Sequence, residues 1–301
     1  MSIHPSIGLG IDAGGTQTRW ALSTADGALL AEGTVAGMSA LQMASNDGRN
    51  AIHATFTELA CQVLAVARPD KVHAGFTGFG GDGAQLQQWL AGLLGIAPAA
   101  IVFCSDMDIA YRAVFAPGEG YLVYAGTGSI GAFIDADGVF HRAGGRGVVL
   151  DDGGGGFWIA REALRHIWRN EDECPGRWER SPMAHAVFGH IGGSDWACSR
   201  QFIYGQERGA VGQLALAVAA SAEQDPAAAS ILEDAGRELA RLAQALIARF
   251  GPRPVALGGR AAGLHPSIAA SMRASLPPGT ILTQSTMRAH HAAARLAAVD
   301  H

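Results

Sequence analysis

Apolar residues from Ile7 to Ile11 lead into Asp12-Ala13-Gly14-Gly15-Thr16-Gln17-Thr18, and a second apolar run resumes at Trp20-Ala21-Leu22. This predicts a strand, a glycine turn and a returning strand, with a third short strand near Leu29 to Val35. From Asp47 to Ala67 the spacing changes: Ile52, Phe56, Leu59 and Val63 recur at the period of one helix face. Val72 to Thr77 then reads as a strand, Gln85 to Leu94 as a helix, and Ile101 to Cys104 as a strand ending at Ser105-Asp106. Alternating sheet and helix argues for an α/β fold.

The opening pattern recurs. A gapless shift of 111 residues puts Gly15-Thr16 on Gly126-Thr127, Thr18 on Ser129, Ala25-Asp26-Gly27 on Ala136-Asp137-Gly138, and Gly33 on Gly144. Asp12 falls on Val123, so the second copy keeps the glycine turn without the acid. Asp-Gly is a common hairpin turn, and chance similarity is the plain alternative to duplication. The duplicated reading predicts two similar domains across a central cleft, with one glycine turn from each meeting the same polyphosphate. The hinge is expected near Phe115 to Gly118.

The second half opens with strands from Tyr121 to Tyr124 and through Ala132 to Ile134. A helix is expected from Phe157 to Trp168, an inserted polar stretch from Asn170 to Trp196, Ala-rich helix from Arg208 to Phe250, and a last strand at Val255-Ala256-Leu257 running into Gly258-Gly259. Thr286 to Val299 reads as a closing helix. Two domains are assigned, 1–116 completed by 286–301, and 117–285 carrying the insertion.

The length of 301 residues suits roughly two domains of ordinary size. A formal charge of −5 gives no basic stripe for a nucleic-acid backbone. No apolar run approaches a bilayer's thickness and no export signal is evident, so membrane association is not expected and a cytoplasmic location is. Cys61, Cys104, Cys174 and Cys198 form no metal-binding pair and are expected to be buried or inert thiols. His290-His291 lie on the last predicted helix, where they are not expected to face one metal together, and are placed at the surface. Trp168, Trp178 and Trp196 bracket the insertion and are read as solitary core or lid aromatics.

Adjacent glycines expose backbone N–H groups to an approaching anion, and Asp12 at the strand end is positioned for a divalent cation. Gly78-Phe79-Gly80-Gly81-Asp82-Gly83 matches a dinucleotide fingerprint, but it follows a hairpin instead of opening its domain, so a tight strand–helix turn is preferred. The single lysine, Lys71, closes no phosphate loop of the Walker type, and the protein-kinase set is missing.

Asp12-x-Gly-Gly-Thr-x-Thr, Ser105-Asp106-Met107, Ala125-Gly126-Thr127-Gly128-Ser129, Gly144-Gly145-x-Gly147 followed by Asp152, and Leu257-Gly258-Gly259 stand in an order that resembles the N-acetylglucosamine kinase/BadF-type group of the sugar kinase, Hsp70 and actin superfamily. The resemblance implies two ribonuclease-H-like domains closing over ATP and a sugar, with the last helix packing onto the first domain. It assigns Gly14, Gly15, Thr16, Gly126, Thr127 and Gly128 to the ATP phosphates, Gly258 and Gly259 to the adenosine, and Asp12 to Mg2+. Asp106 matches the catalytic base, with Asp108 as a rival and helix capping as its structural alternative. Ser39, Thr77, Asp106, Gly145 and Asp152 make the sugar side; Asp152 has a cap or turn as its alternative role. Family members are often dimers, so a homodimer is compatible with this reading.

Four departures change the sugar pocket. Gly153 stands where the family has Glu, Arg146 where Trp is usual, and Ile130 and Ser39 where animal members carry asparagines. The expectation is therefore an ATP-dependent amino-sugar kinase of open acceptor. Two alternatives stay open: an ATPase that activates a radical dehydratase or reductase, which would require paired cysteines, and a sugar sensor without turnover.

Overall fold

The structure, a computed structural model, describes residues 6–286 and 288–299. The sequence assignments at 1–5, 287, 300 and 301 lie outside the described residues. The chain forms two compact units: one comprises the residues up to Ala116 with the C-terminal helix, the other Pro117–Thr286.

The first unit contains β1 (Ile7–Ala13), β2 (Gln17–Thr24), β3 (Leu29–Ala36), a 3-10 turn (Ala40–Ala44), α1 (Asn46–Leu64), β4 (Lys71–Phe76), α2 (Ala84–Leu94), β5 (Ile101–Ser105) and α3 (Asp106–Arg112). Its sheet runs β3-β2-β1-β4-β5. The first three strands are antiparallel neighbours, while β1, β4 and β5 are parallel. The predicted helical face is the buried one: Ile52, Phe56, Leu59 and Val63 of α1 all enter a core that includes Leu9, Ile11, Phe76 and Phe103.

The second unit follows with β6 (Tyr121–Ala125), β7 (Ser129–Ile134), β8 (Phe140–Gly144), α4 (Gly156–Glu173), α5 (Pro182–Ile191), α6 (Trp196–Gly205), α7 (Arg208–Gly212), α8 (Leu214–Ser221), α9 (Pro226–Phe250), β9 (Val255–Gly258), α10 (Pro266–Ser275) and β10 (Leu282–Gln284). Its sheet order, β10-β9-β6-β7-β8, is that of the first sheet read from the other edge, with matching strand senses. A shared order of five strands in matched directions is the structural form of the repeat seen in the sequence.

The repeat differs from the sequence alignment in one respect. In the first hairpin Ala13 pairs with Thr18, whereas in the second Ala125 pairs with Ser129, so the second turn is one residue shorter. Asp12, which pairs with Arg19, therefore corresponds to Tyr124, which pairs with Ile130, and not to Val123. A gapless comparison cannot register that deletion.

α4 continues through Glu173, and the stretch beyond it is largely helical, with Asp225 capping α9 and accepting from Ser181 Oγ at 2.6 Å and Met183 N at 3.0 Å. The tryptophans are not solitary: Trp168 packs on Phe188 and Trp196, and Trp178 packs on the same Phe188. The Ala-rich stretch is three helices, because Pro226 starts a new one at its Asp225 cap. Cys61 and Cys174 are exposed rather than buried, and all four cysteines are free. Among the described residues no helix is long and apolar enough to cross a membrane.

The last helix, α11 (Ala289–Val299), starts later than the expected Thr286 and packs on β1 in the first unit. Two glycines of β1 are the reason it can. A Cβ added at Gly8 would lie 2.2 Å from Ala294 O, and one at Gly10 2.1 Å from His290 O, so the helix backbone rests directly on the strand. His290 is buried at 4% exposure. Contrary to the surface placement expected for the pair, both imidazoles face Glu32 of β3, at 3.5 Å from His290 and 2.6 Å from His291.

Replacing Gly10 with Ala should lower stability by roughly 1–3 kcal/mol or more, because the helix has to lift off the strand. Gly15→Ala, whose Cβ meets nothing within 4 Å, should leave it nearly unchanged. Thermal unfolding of the two variants checks this, and equal melting temperatures would contradict the packing.

Candidate functional site

In the first unit three parallel strands end side by side. Ala13 of β1 pairs with Phe76 of β4, and Phe76 pairs with Ser105 of β5, so Asp12, Thr77 and Asp106 emerge at one edge. The carboxyl ends of adjacent parallel strands are where open α/β sheets bind ligands, since the connecting loops leave a crevice there. Gly75 makes the approach of α3 possible, as a Cβ there would sit 2.5 Å from Ile109 Cδ1 and 3.1 Å from Asp106 Cα.

Asp106 is the first residue of α3, not its cap. Ser105 is the cap, its Oγ accepting from Asp108 N at 3.1 Å. Asp106 is thereby left to other partners: Thr77 Oγ1 donates a short hydrogen bond to Oδ2, and Met107 N donates to Oδ1 at 2.9 Å. Asp108 is committed elsewhere, paired with Arg112 at 2.6 Å. Thr77 is itself fixed through its backbone, donating from N to Ala13 O at 2.9 Å and accepting at O from Ala40 N at 2.9 Å. Ser39 Oγ donates to the same carbonyl at 3.2 Å, while Ser39 and Gln42 cap the following 3-10 turn reciprocally. Ser39, Thr77 and Asp106 thus form one connected cluster.

The electrostatics of Asp12 are unlike those of an ordinary surface acid. Burial, then the charge of Asp106, push its carboxyl up to about 6, with Arg19 opposing. Two acids gathered at one edge repel each other, and a bound cation would relieve that repulsion. The adjoining turn is open: Thr16 is exposed, and a Cβ at Gly15 would meet nothing within 4 Å. Gly14 N donates to Gln17 O at 3.2 Å and Gly14 O accepts from Met38 N at 3.0 Å, which fixes the turn. Thr18 is turned inward and fully buried, so Thr16 is the hydroxyl the turn presents. The glycine-rich loop before α2 adopts positive φ at Gly78 (73°) and Gly81 (100°). It lines a cavity of about 370 Å³ with Ala40, Met43 and Gln85.

The second unit assembles its own group. Gly126 N donates to Gly128 O at 2.9 Å, closing the short turn, while Gly126 O and Thr127 O accept from Gly156 N and Phe157 N at 2.8 and 2.9 Å. The turn therefore docks on the start of α4. A Cβ at Gly128 would stand 2.2 Å from Asp152 Oδ2. Asp152 has φ 57°, the only positive φ of a non-glycine residue among those described. Its Oδ1 accepts from Gly147 N at 3.1 Å, and burial holds its carboxyl above the usual range. Gly145 has φ 62°, donates to Ser129 O at 3.1 Å, and leaves room only for Ile130. Gly259 has φ 94°, and a Cβ there would lie 2.3 Å from Ala125 O, so the Gly258-Gly259 pair runs flush with the end of β6.

One participant carries no sequence signal. The space over Gly153 belongs to Glu238 of α9, whose Oε2 would be 2.6 Å from a Cβ at that position. Glu238 pairs with Arg241 at 3.1 Å, and Arg241 holds Asp151 at 3.0 Å, bracing the Asp152 loop. Nothing in an Ala-rich helix separates this glutamate from a solvated one. Cys104, beside the Asp106 helix, is pushed up to about 12 by burial first and by Asp108 next, so its thiol stays protonated.

The sequence profile of the BadF/BadG/BcrA/BcrD ATPase family matches residues 9–271. This chain belongs to that family. Among solved structures it is similar to a proposed N-acetylglucosamine kinase from Chromobacterium violaceum at 25% identity and TM-score 0.69, covering 97% of this chain and 99% of that one. A second proposed N-acetylglucosamine kinase, from Porphyromonas gingivalis, gives TM-score 0.77 at 17% identity with 97% and 99% coverage. A ROK family glucokinase from Streptomyces griseus, solved with glucose and AMPPNP, gives 0.60 at 15% identity with 97% and 98% coverage. No curated protein matches the sequence. The fold is α/β with two five-stranded mixed sheets, as in the actin-like ATPase kinases.

Asp12 ionises near 6 in the folded chain and at the ordinary 3.8 when unfolded, so its charge destabilises the ligand-free protein at neutral pH. Asp12→Asn should stabilise by up to roughly 2–3 kcal/mol above pH 6, the gain fading as pH falls toward 4. Chemical denaturation of both proteins across this range measures it, and no gain at pH 7.5 would contradict the burial of that charge.

Proposed function

We propose that this ATPase-family protein is an ATP-dependent kinase transferring the γ-phosphate to a sugar hydroxyl, with an amino sugar such as N-acetylglucosamine or glucosamine as acceptor and the 6-hydroxyl as the site of transfer. The observation that carries this reading is the Thr77–Asp106 hydrogen bond at the strand edge shared with Asp12. It gives a carboxylate fixed by two donors, beside a second carboxylate whose raised affinity for a proton marks an unsatisfied negative charge.

Phosphoryl transfer depends mainly on alignment and on neutralising the phosphate charge. In this reading the turns Gly14-Gly15-Thr16 and Gly126-Thr127-Gly128 hold the polyphosphate, through the N–H groups that do not close the turns themselves, and Gly258-Gly259 pass beneath the adenosine. Asp12, an oxygen ligand beside a second carboxylate, fits Mg2+, which when bound would supply positive charge beyond that of Arg19. Asp106 accepts the hydroxyl proton as the sugar oxygen attacks phosphorus, and Thr77 holds that carboxylate in place. Asp152 and Gly145 accept and shape the sugar, with Ser39 bordering it.

A coupled ADP-release assay over N-acetylglucosamine, glucosamine, N-acetylmannosamine and glucose tests the reading. At least one should stimulate ADP formation, Asp106→Asn should lower kcat roughly 10²- to 10⁴-fold with nucleotide affinity retained, and kcat/KM should fall as pH drops through about 6, where free Asp12 takes up a proton. Failure of every acceptor, or full activity in Asp106→Asn, would overturn it.

A further inference from the structure

At the far edge of the first unit's sheet, the start of α11 meets β3. Glu32 Oε2 lies 2.6 Å from His291 Nε2 and 3.5 Å from His290 Nε2, and one ligand atom from each of the three residues falls within 4.8 Å of the others. The two imidazoles stand edge-to-face with centroids 4.4 Å apart. His290 is 4% exposed, and its Nδ1 is buried without a hydrogen-bond partner among the described residues. Burying an imidazole with one nitrogen unpaired is unfavourable, so this ring is held at a cost with its other nitrogen, Nε2, turned toward Glu32.

From this cluster we infer that Glu32, His290 and His291 form a binding site for a divalent transition-metal ion of the Zn2+ type. Two imidazoles and one carboxylate are the donors that suit Zn2+ and its neighbours, and they leave coordination positions for water. The ligands come from two elements held rigidly together, since Gly8 and Gly10 let α11 lie against β1 and β3 is two strands away in the same sheet. An ion here ties the C-terminal helix to β3 and acts as a structural clasp, separate from the Asp12 edge.

Two cations face the group. Arg288 holds both oxygens of Glu32, at 2.9 and 3.0 Å, from an exposed position, and Arg19 acts on His290 through its charge. A metal must therefore displace Arg288 from at least one oxygen, so this arginine opposes binding. That competition separates a metal site from an ion-pair cluster, in which Arg288 is a contributing partner.

The test uses tag-free full-length protein, stripped with chelator and titrated with Zn2+ by calorimetry, with Co2+ absorption reporting the coordination. One ion should bind per chain and raise the melting temperature. His291→Ala and Glu32→Gln, both at the accessible side of the site, should weaken binding by at least roughly 10- to 100-fold, the loss that even an outer partner of a metal ligand causes. Arg288→Ala should tighten it, and Asp12→Asn should leave it unchanged. Circular dichroism of each variant confirms folding. No binding to the stripped protein, equal affinity in His291→Ala and Glu32→Gln, or weaker binding in Arg288→Ala would each overturn the inference.

Discussion

The constraint on which the first unit's chemistry rests is the shared ending of β1, β4 and β5. Because these strands are parallel and in register, the residues just beyond them have nowhere to go but the same edge, and the chain places two acids there. Asp12 is kept partly from water and beside Asp106, and both effects oppose its ionisation. A protein gains no stability from that arrangement in the absence of a ligand. In the proposed reading a cation or a phosphate-bound cation completes it, and the open turn at Gly15-Thr16 supplies backbone donors alongside.

The supporting structure is economical. Thr77 links three elements through its main chain and aims its side chain at Asp106, while Gly75 gives α3 the clearance to bring that residue in. In the second unit the same strand order carries a shorter turn, with Asp152, Gly145 and Gly259 pressed against it at backbone angles that few residues adopt. Positive φ at Asp152 in a half-polar loop is strain of a kind that concentrates at binding sites.

The strands and the first helix were legible because their periods were clean: Ile52, Phe56, Leu59 and Val63 named the buried face of α1, and the recurrence of Gly15-Thr16 at Gly126-Thr127 exposed the duplication. What escaped was set by tertiary contacts. A one-residue difference in the hairpins moves the counterpart of Asp12 to Tyr124, and only strand pairing fixes it. The pairing of His290 and His291 with Glu32 depends on α11 lying flush on β1, a consequence of glycines in a distant strand. Glu238 over Gly153 is likewise a product of how α9 packs. The motif residues themselves were readable, whereas the braces that hold them, Ser105 as cap and Arg241 on Asp151, belong to geometry.

Everything proposed for the strand edge depends on Asp12 being buried beside the charge of Asp106, and carboxyl-carbon NMR titration of Asp12 addresses this directly. In the ligand-free protein Asp12 should titrate near 6 and move down when Asp106 is replaced by Asn or when Mg2+ and nucleotide are added. An Asp12 that titrates near 3.8, and that ignores both the substitution and the metal–nucleotide, would contradict it.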